Sequence, residues 1–111
     1  MAEPVVIACN LAALNPAERE LRATLAARVA ARFREVQETP DGYAARLDDD
    51  PALMKDALDW LLLERRCCPF LQLTLALEPS DGPVWLRFEG GPGVKGFLAA
   101  AGFTAASRRQ R

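Results

Sequence analysis

The chain has 111 residues, 14 Lys plus Arg against 15 Asp plus Glu, and a formal net charge of −1. That length supports one modest core, and the near-neutral balance gives no general attraction for nucleic acid or an anionic membrane. Histidine is absent, which excludes Ser-His and Cys-His nucleophilic pairs, His-ligated zinc or haem and the commonest general base.

The start, "MAEPVVIACN", lacks a positive n-region, and its apolar run is short for a signal sequence. No window of about 18 apolar residues follows, so no bilayer span is expected. The expectation is a cytoplasmic protein whose three cysteines, Cys9, Cys67 and Cys68, are reduced. Their odd number argues against a structural disulfide framework. "PVVIAC", residues 4–9, is a candidate extra strand.

In "LNPAERELRATLAARVAARFREVQE", Asn15 can cap a helix, Pro16 suits its first position and Glu18 completes a capping box. Leu21, Leu25, Val29, Phe33 and Val36 recur at helical spacing, predicting one long helix. It ends at the turn "TPDG", residues 39–42. "YAARL", residues 43–47, alternates as a strand. A second helix then runs from Pro51 to the double cysteine, with Asp50 as its cap. The three acids of "LDDDP" lack the ligand array and final glutamate of a calcium loop, so they read as a cap with solvated charge.

"FLQLTLALE" puts Leu71, Leu73, Leu75 and Leu77 on one face. After the turn "PSDGP", "VWLRFE" resumes with Val84, Leu86 and Phe88 inward, an antiparallel hairpin. "EGGPGVKGF" is a glycine-rich turn opening a short last helix. Its backbone amides, with Lys95 in the first turn of that helix, make it an anion-site candidate, although the spacing is not that of a P-loop. The basic "SRRQR" end reads as solvated charge. Trp60 and Trp85 are candidates to line one space, with core or edge packing as the plainer reading.

These elements predict an α+β fold in a single domain, residues 1–111, with about 1–8 and 104–111 as loose termini. Two long helices and one short C-terminal helix pack on one face of a small, mainly antiparallel sheet of three strands, or four if 4–9 pairs.

The chemistry-bearing stretch is "ERRCCPF", Glu64 to Phe70. On a helical wheel Cys68 falls near the centre of the apolar face and Cys67 about 100° to one side, near Trp60. Pro69 pushes Cys68 out of the helical region, which gives the two sulfurs freedom to approach. Glu64 shares a face with Cys68, where a carboxylate is costly unless paired. Arg65 flanks the same face and is the candidate to pair with it, or else with a partner from the sheet. Because a helix C-terminus is the negative end of the dipole, the thiol pKa values should rise, which disfavours a redox nucleophile. Nor is adjacent Cys-Cys the spacing of thioredoxin-like catalysts.

A soft ion displaces thiol protons itself and needs only converging sulfurs. Cys67 and Cys68, with Cys9 if it reaches them, suit mercury(II), arsenic(III) or copper(I) better than four-coordinate zinc. The alternatives are a thiol redox or transfer enzyme using Cys67 or Cys68 as nucleophile, Glu64 as proton acceptor and Arg65 as charge partner, or an interaction module whose cysteines are core filler. No organic cofactor is implied, and no nucleic-acid or membrane partner.

The combination of E-R-x-C-C-P-F, a leucine-alternating hairpin, the "GGPGVKGFL" ending at 90–98, "DGYA" at 41–44 and an early cysteine resembles a group of short bacterial proteins with a G-P-x-G-x-K-x-F-L ending. Some of that group occur among heavy-metal and metalloid resistance functions. The resemblance marks Glu64, Arg65, Cys67, Cys68 and Pro69, with Cys9 and Lys95. "EGGPG" departs from the threonine-glycine-proline expected in that ending.

Overall fold

The computed structural model describes residues 7–107. Asn15 caps α1 (Pro16–Ala30) by accepting from the Glu18 N–H, while the Glu18 carboxylate accepts from the Asn15 N–H. Two of the donors left open at the helix start are thereby satisfied. The helix stops at Ala30, well short of the 39–42 turn. Glu35–Thr39 is instead a strand, β1, paired antiparallel with β2 (Gly42–Leu47). This corrects the single long helix. Val36 continues the helical spacing by coincidence, since its place is in β1 opposite Ala45. Pairing with β2 outweighs the local helical pattern, and it begins where the Arg34 N–H reaches the Arg46 carbonyl at 2.9 Å. The Arg34 guanidinium then grips Asp48 with two bonds of 2.9 Å.

Asp50 caps α2 (Pro51–Cys67) through the N–H groups of Ala52 and Leu53, so "LDDDP" serves as cap and ion-pair partner. β3 (Gln72–Leu77) and β4 (Val84–Glu89) form the expected hairpin, with Leu73 opposite Phe88 and Leu75 opposite Leu86. A short α3 (Val94–Ala100) follows, and β5 (Ala106–Ser107) pairs with the start of β1. Strand order is β3-β4-β2-β1-β5, all antiparallel.

The α+β class and the one-sided helical layer are as expected. The fourth long strand is β1. Residues 7–9 lie outside any strand, and the remainder of the 4–9 candidate lies outside the described residues. So do residues 1–6 and 108–111 of the expected loose ends, including most of "SRRQR".

The core lies between sheet and helices. Tyr43, Leu47, Leu86 and Phe88 meet Leu53, Ala57, Trp60 and Leu61 of α2, with Leu25 and Val29 of α1 closing the top. Trp60 packs on Phe88 with ring centroids 5.2 Å apart. Trp85 alternates with inward Val84 and Leu86, so it occupies the opposite sheet face. The two tryptophans therefore do not line one space. Among the described residues, no helix is long and apolar enough to cross a membrane.

Candidate thiol site

α2 delivers Glu64 and Cys67 from its last turn, and Cys68 leaves the helix at φ −126° ahead of Pro69. That break has the expected cause, the restriction that proline imposes on its predecessor. Both cysteines are fully buried, with Leu14 beside them and Leu63, Phe70 and Leu71 around them. The wheel placed Cys67 to one side of the apolar face. That side is covered as well, because α1 and the segment leading into it pack against α2.

Glu64 is the buried charged residue among the described residues, 6% exposed. Its partner is Arg22 of α1: Nε donates to Oε2 at 2.9 Å and Nη2 to Oε1 at 2.8 Å. The Trp60 indole N–H adds a third bond to Oε2 at 3.0 Å. Cys68 Sγ lies 3.3 Å from Oε1, where the reduced thiol donates to the carboxylate. Three N–H donors thus hold the two oxygens, with the Cys68 thiol as a fourth once it is reduced, and the desolvation cost of burying the charge is offset in place. Arg65 is exposed on the far side of the turn. Its expected pairing with Glu64 is corrected to Arg22, which the sequence carries 42 positions away.

Arg66, the other arginine of the motif, reaches the Glu18 carboxylate and donates to the Ala13 carbonyl at 3.1 Å. It ties the start of α1 to the end of α2, and the guanidinium holds the Glu18 carboxyl below its usual value. On the same end of α2, the Asn10 N–H donates to the Cys67 carbonyl at 2.7 Å. These ties bring the segment carrying Cys9 onto the cysteine pair. The sequence shows no local signal for either contact, because both partners are remote.

Cys9 and Cys68 are joined as a disulfide, with Cα atoms 4.8 Å apart. This corrects the expectation of three free thiols: the odd count leaves Cys67 as the free cysteine rather than excluding a bridge. Cys67 Sγ stands 3.7 Å from Cys68 Sγ and donates to the Glu64 carbonyl at 3.6 Å. Burial pushes the Cys67 thiol pKa up and the Glu64 charge pushes it further, with Arg22 opposing both. The expected upward direction is therefore present, with desolvation as its main cause.

The three cysteines named from sequence do come together, and Glu64 belongs with them. Potential ligand atoms of Cys9, Glu64 and Cys68 lie within 4.8 Å of one another. Since Arg22 and Trp60 already occupy the carboxylate, the soft donors of the cluster are the sulfurs. Lys95 is placed elsewhere. It donates to the Thr39 carbonyl at 3.0 Å and pairs with Glu38 at 3.3 Å, so the glycine-rich turn has an internal use for its cation. A cavity of about 400 Å³ lies on the other side of Trp60, lined also by Phe33, Val36 and Phe103, and none of the cysteines lines it.

No family model matches the chain, and neither does any curated protein or solved structure.

Two outcomes follow from the buried pair and the raised thiol. Replacing Arg22 with alanine leaves the Glu64 carboxylate without its main partner. Because Arg22 is itself about a quarter exposed, the cost should be about 2–3 kcal/mol in urea unfolding, below the full value for a buried pair. A loss under about 0.5 kcal/mol would show that the pair does not hold this end of α2. In the disulfide form, alkylation of Cys67 by iodoacetamide should rise with pH through a midpoint above about 8.5, the ordinary thiol value. A midpoint below that value would contradict the described environment.

Proposed function

We propose that the reduced chain captures a soft thiophilic cation, of the mercury(II), arsenic(III) or copper(I) type, through Cys9 and Cys68 with Cys67 as the adjacent third thiol. One observation carries this reading: three sulfurs from two remote stretches of chain meet at one helix end, Cys9 bonded to Cys68 and Cys67 3.7 Å from it. Two sulfurs close enough to bond to each other need only small adjustments to grip an ion between them, with zinc-type sulfur bonds near 2.3 Å as the scale. The donor set is soft and has no imidazole, which suits these ions and not a four-coordinate zinc site. A raised Cys67 pKa does not oppose capture, because the ion displaces the proton.

Glu64 and Arg22 act as the platform in this reading. Glu64 accepts from the Cys68 thiol before capture, and Arg22 balances the negative charge that thiolates bring. The setting that suits the function is a reducing cytoplasm, where glutathione and thioredoxin keep such thiols available. The sequence resemblance to bacterial proteins found among metal-resistance functions agrees with it.

A nucleophilic enzyme is a weaker reading, since Cys67 and Cys68 are fully buried and the Cys67 thiol is held protonated. A purely structural role for Cys67 is favoured by its packing against Leu14 and Leu63. The test separates these. Reduced protein titrated with mercury(II) in the presence of a competing thiol should bind a single ion stoichiometrically. Replacing Cys67 and Cys68 with serine should lower the affinity by two orders of magnitude or more, about 3 kcal/mol. Unchanged affinity in that double variant overturns the proposal.

A further inference from the structure

The Cys9–Cys68 bridge joins sulfurs with opposite access. Cys9 is exposed, whereas Cys68 is fully buried and Cys67 beside it is buried as well. Thiol–disulfide exchange proceeds by attack of a thiolate on one sulfur of the bridge, and which sulfur is attacked depends on access. The attacking thiolate approaches along the line of the S–S bond from the side opposite the leaving sulfur. At Cys68 that approach runs through the packed surroundings of Leu14, Leu63, Phe70 and Leu71. At Cys9 it comes from solvent.

The leaving sulfur is also provided for. Cys68 Sγ lies 3.3 Å from Glu64 Oε1, so the thiol formed there has an acceptor waiting. The segment that carries Cys9 stays docked when the bridge opens, because the Asn10 N–H to Cys67 carbonyl bond and the Arg66 contacts to Ala13 and Glu18 do not involve the disulfide.

We propose that the Cys9–Cys68 bridge is a site of thiol exchange with a low-molecular-weight thiol of the glutathione type, and that the small thiol is attached at Cys9. In the first step the thiolate sulfur of the small molecule bonds to Cys9 Sγ and the Cys9–Cys68 bond breaks. The electron pair passes to Cys68 Sγ, which takes up the proton that the small thiol lost. A second small thiol then attacks the mixed disulfide at the small molecule's own sulfur, releasing the small-molecule disulfide and leaving Cys9 as a thiol. The net change is two small thiols oxidised to one disulfide and one protein disulfide reduced to two thiols. Closure is the reverse, with the small-molecule disulfide as oxidant, and it also passes through an adduct at Cys9.

The consequence is a two-state site. The open form offers three thiols and the closed form one, the buried Cys67. Ion capture that responds to the ratio of small thiol to small disulfide is the outcome, a consequence that rests on the function proposed above. The exchange itself is read without any metal, so its failure and the failure of ion capture are separate results.

The test uses the full chain, oxidised, mixed briefly with reduced glutathione, quenched in acid, alkylated and mapped by peptide mass. The glutathione adduct should be found on Cys9 with roughly tenfold or greater preference over Cys68, the alkyl group being on Cys68. A Cys67→Ser variant should keep that preference, which separates direct attack at Cys9 from a relay through Cys67. Adduct on Cys68, an even distribution, or loss of the preference in Cys67→Ser overturns the proposal. So does a reduced chain that fails to close with oxidised glutathione. If exchange proceeds as described and the reduced chain binds no mercury(II), only the ion-capture reading falls.

Discussion

The ion pair between Arg22 and Glu64 is the constraint on which the rest of the site depends. A carboxylate in the last turn of a helix, facing a core, is tolerated only with its charge matched and its oxygens bonded. Arg22 supplies both bonds of a forked pair from α1, and Trp60 supplies another from within α2. The register of the two helices is thereby set at this end. Once it is set, Arg66 meets Glu18 and Ala13, and the chain before α1 is laid across the end of α2. Cys9 arrives beside Cys68 as a consequence of that docking.

The same pair shapes the chemistry. Burial raises the Cys67 pKa and the Glu64 charge adds to it, while Arg22 opposes both, so the Cys67 thiol is held above its ordinary value inside a desolvated pocket. Such a place suits sulfur that waits, protonated or bridged, for an ion or a small thiol to claim it. It suits poorly a nucleophile that must be a thiolate at neutral pH. Burial of two cysteines and exposure of the third gives the site one outer and two inner sulfurs, and this asymmetry links the proposed ion capture with the proposed redox exchange.

Much of this was legible in the sequence, and the limits have physical causes. The capping box at Asn15 and Glu18, the Asp50 cap, the break at Pro69 and the inward faces of β4 are local signals, and each holds. β1 was hidden because Val36 stands at a helical interval from Phe33, while its strand identity comes from pairing with β2, a nonlocal term. Glu64 was marked as a carboxylate in need of a partner, yet Arg22 was invisible because it lies on another helix. Arg65 was the plausible neighbour and points to solvent. Cys9 was the third sulfur candidate by elimination among three cysteines, but its approach depends on Asn10 and Arg66 contacts that no spacing encodes.

In the proposed function this helix end, pinned by Arg22 and Glu64, presents sulfur alone to a soft ion. X-ray absorption at the mercury edge on the reduced, loaded chain measures that directly. The expected result is a first shell made only of sulfur, reduced by one sulfur in Cys9→Ser. A shell containing oxygen or nitrogen, or one unaltered by Cys9→Ser, would contradict it.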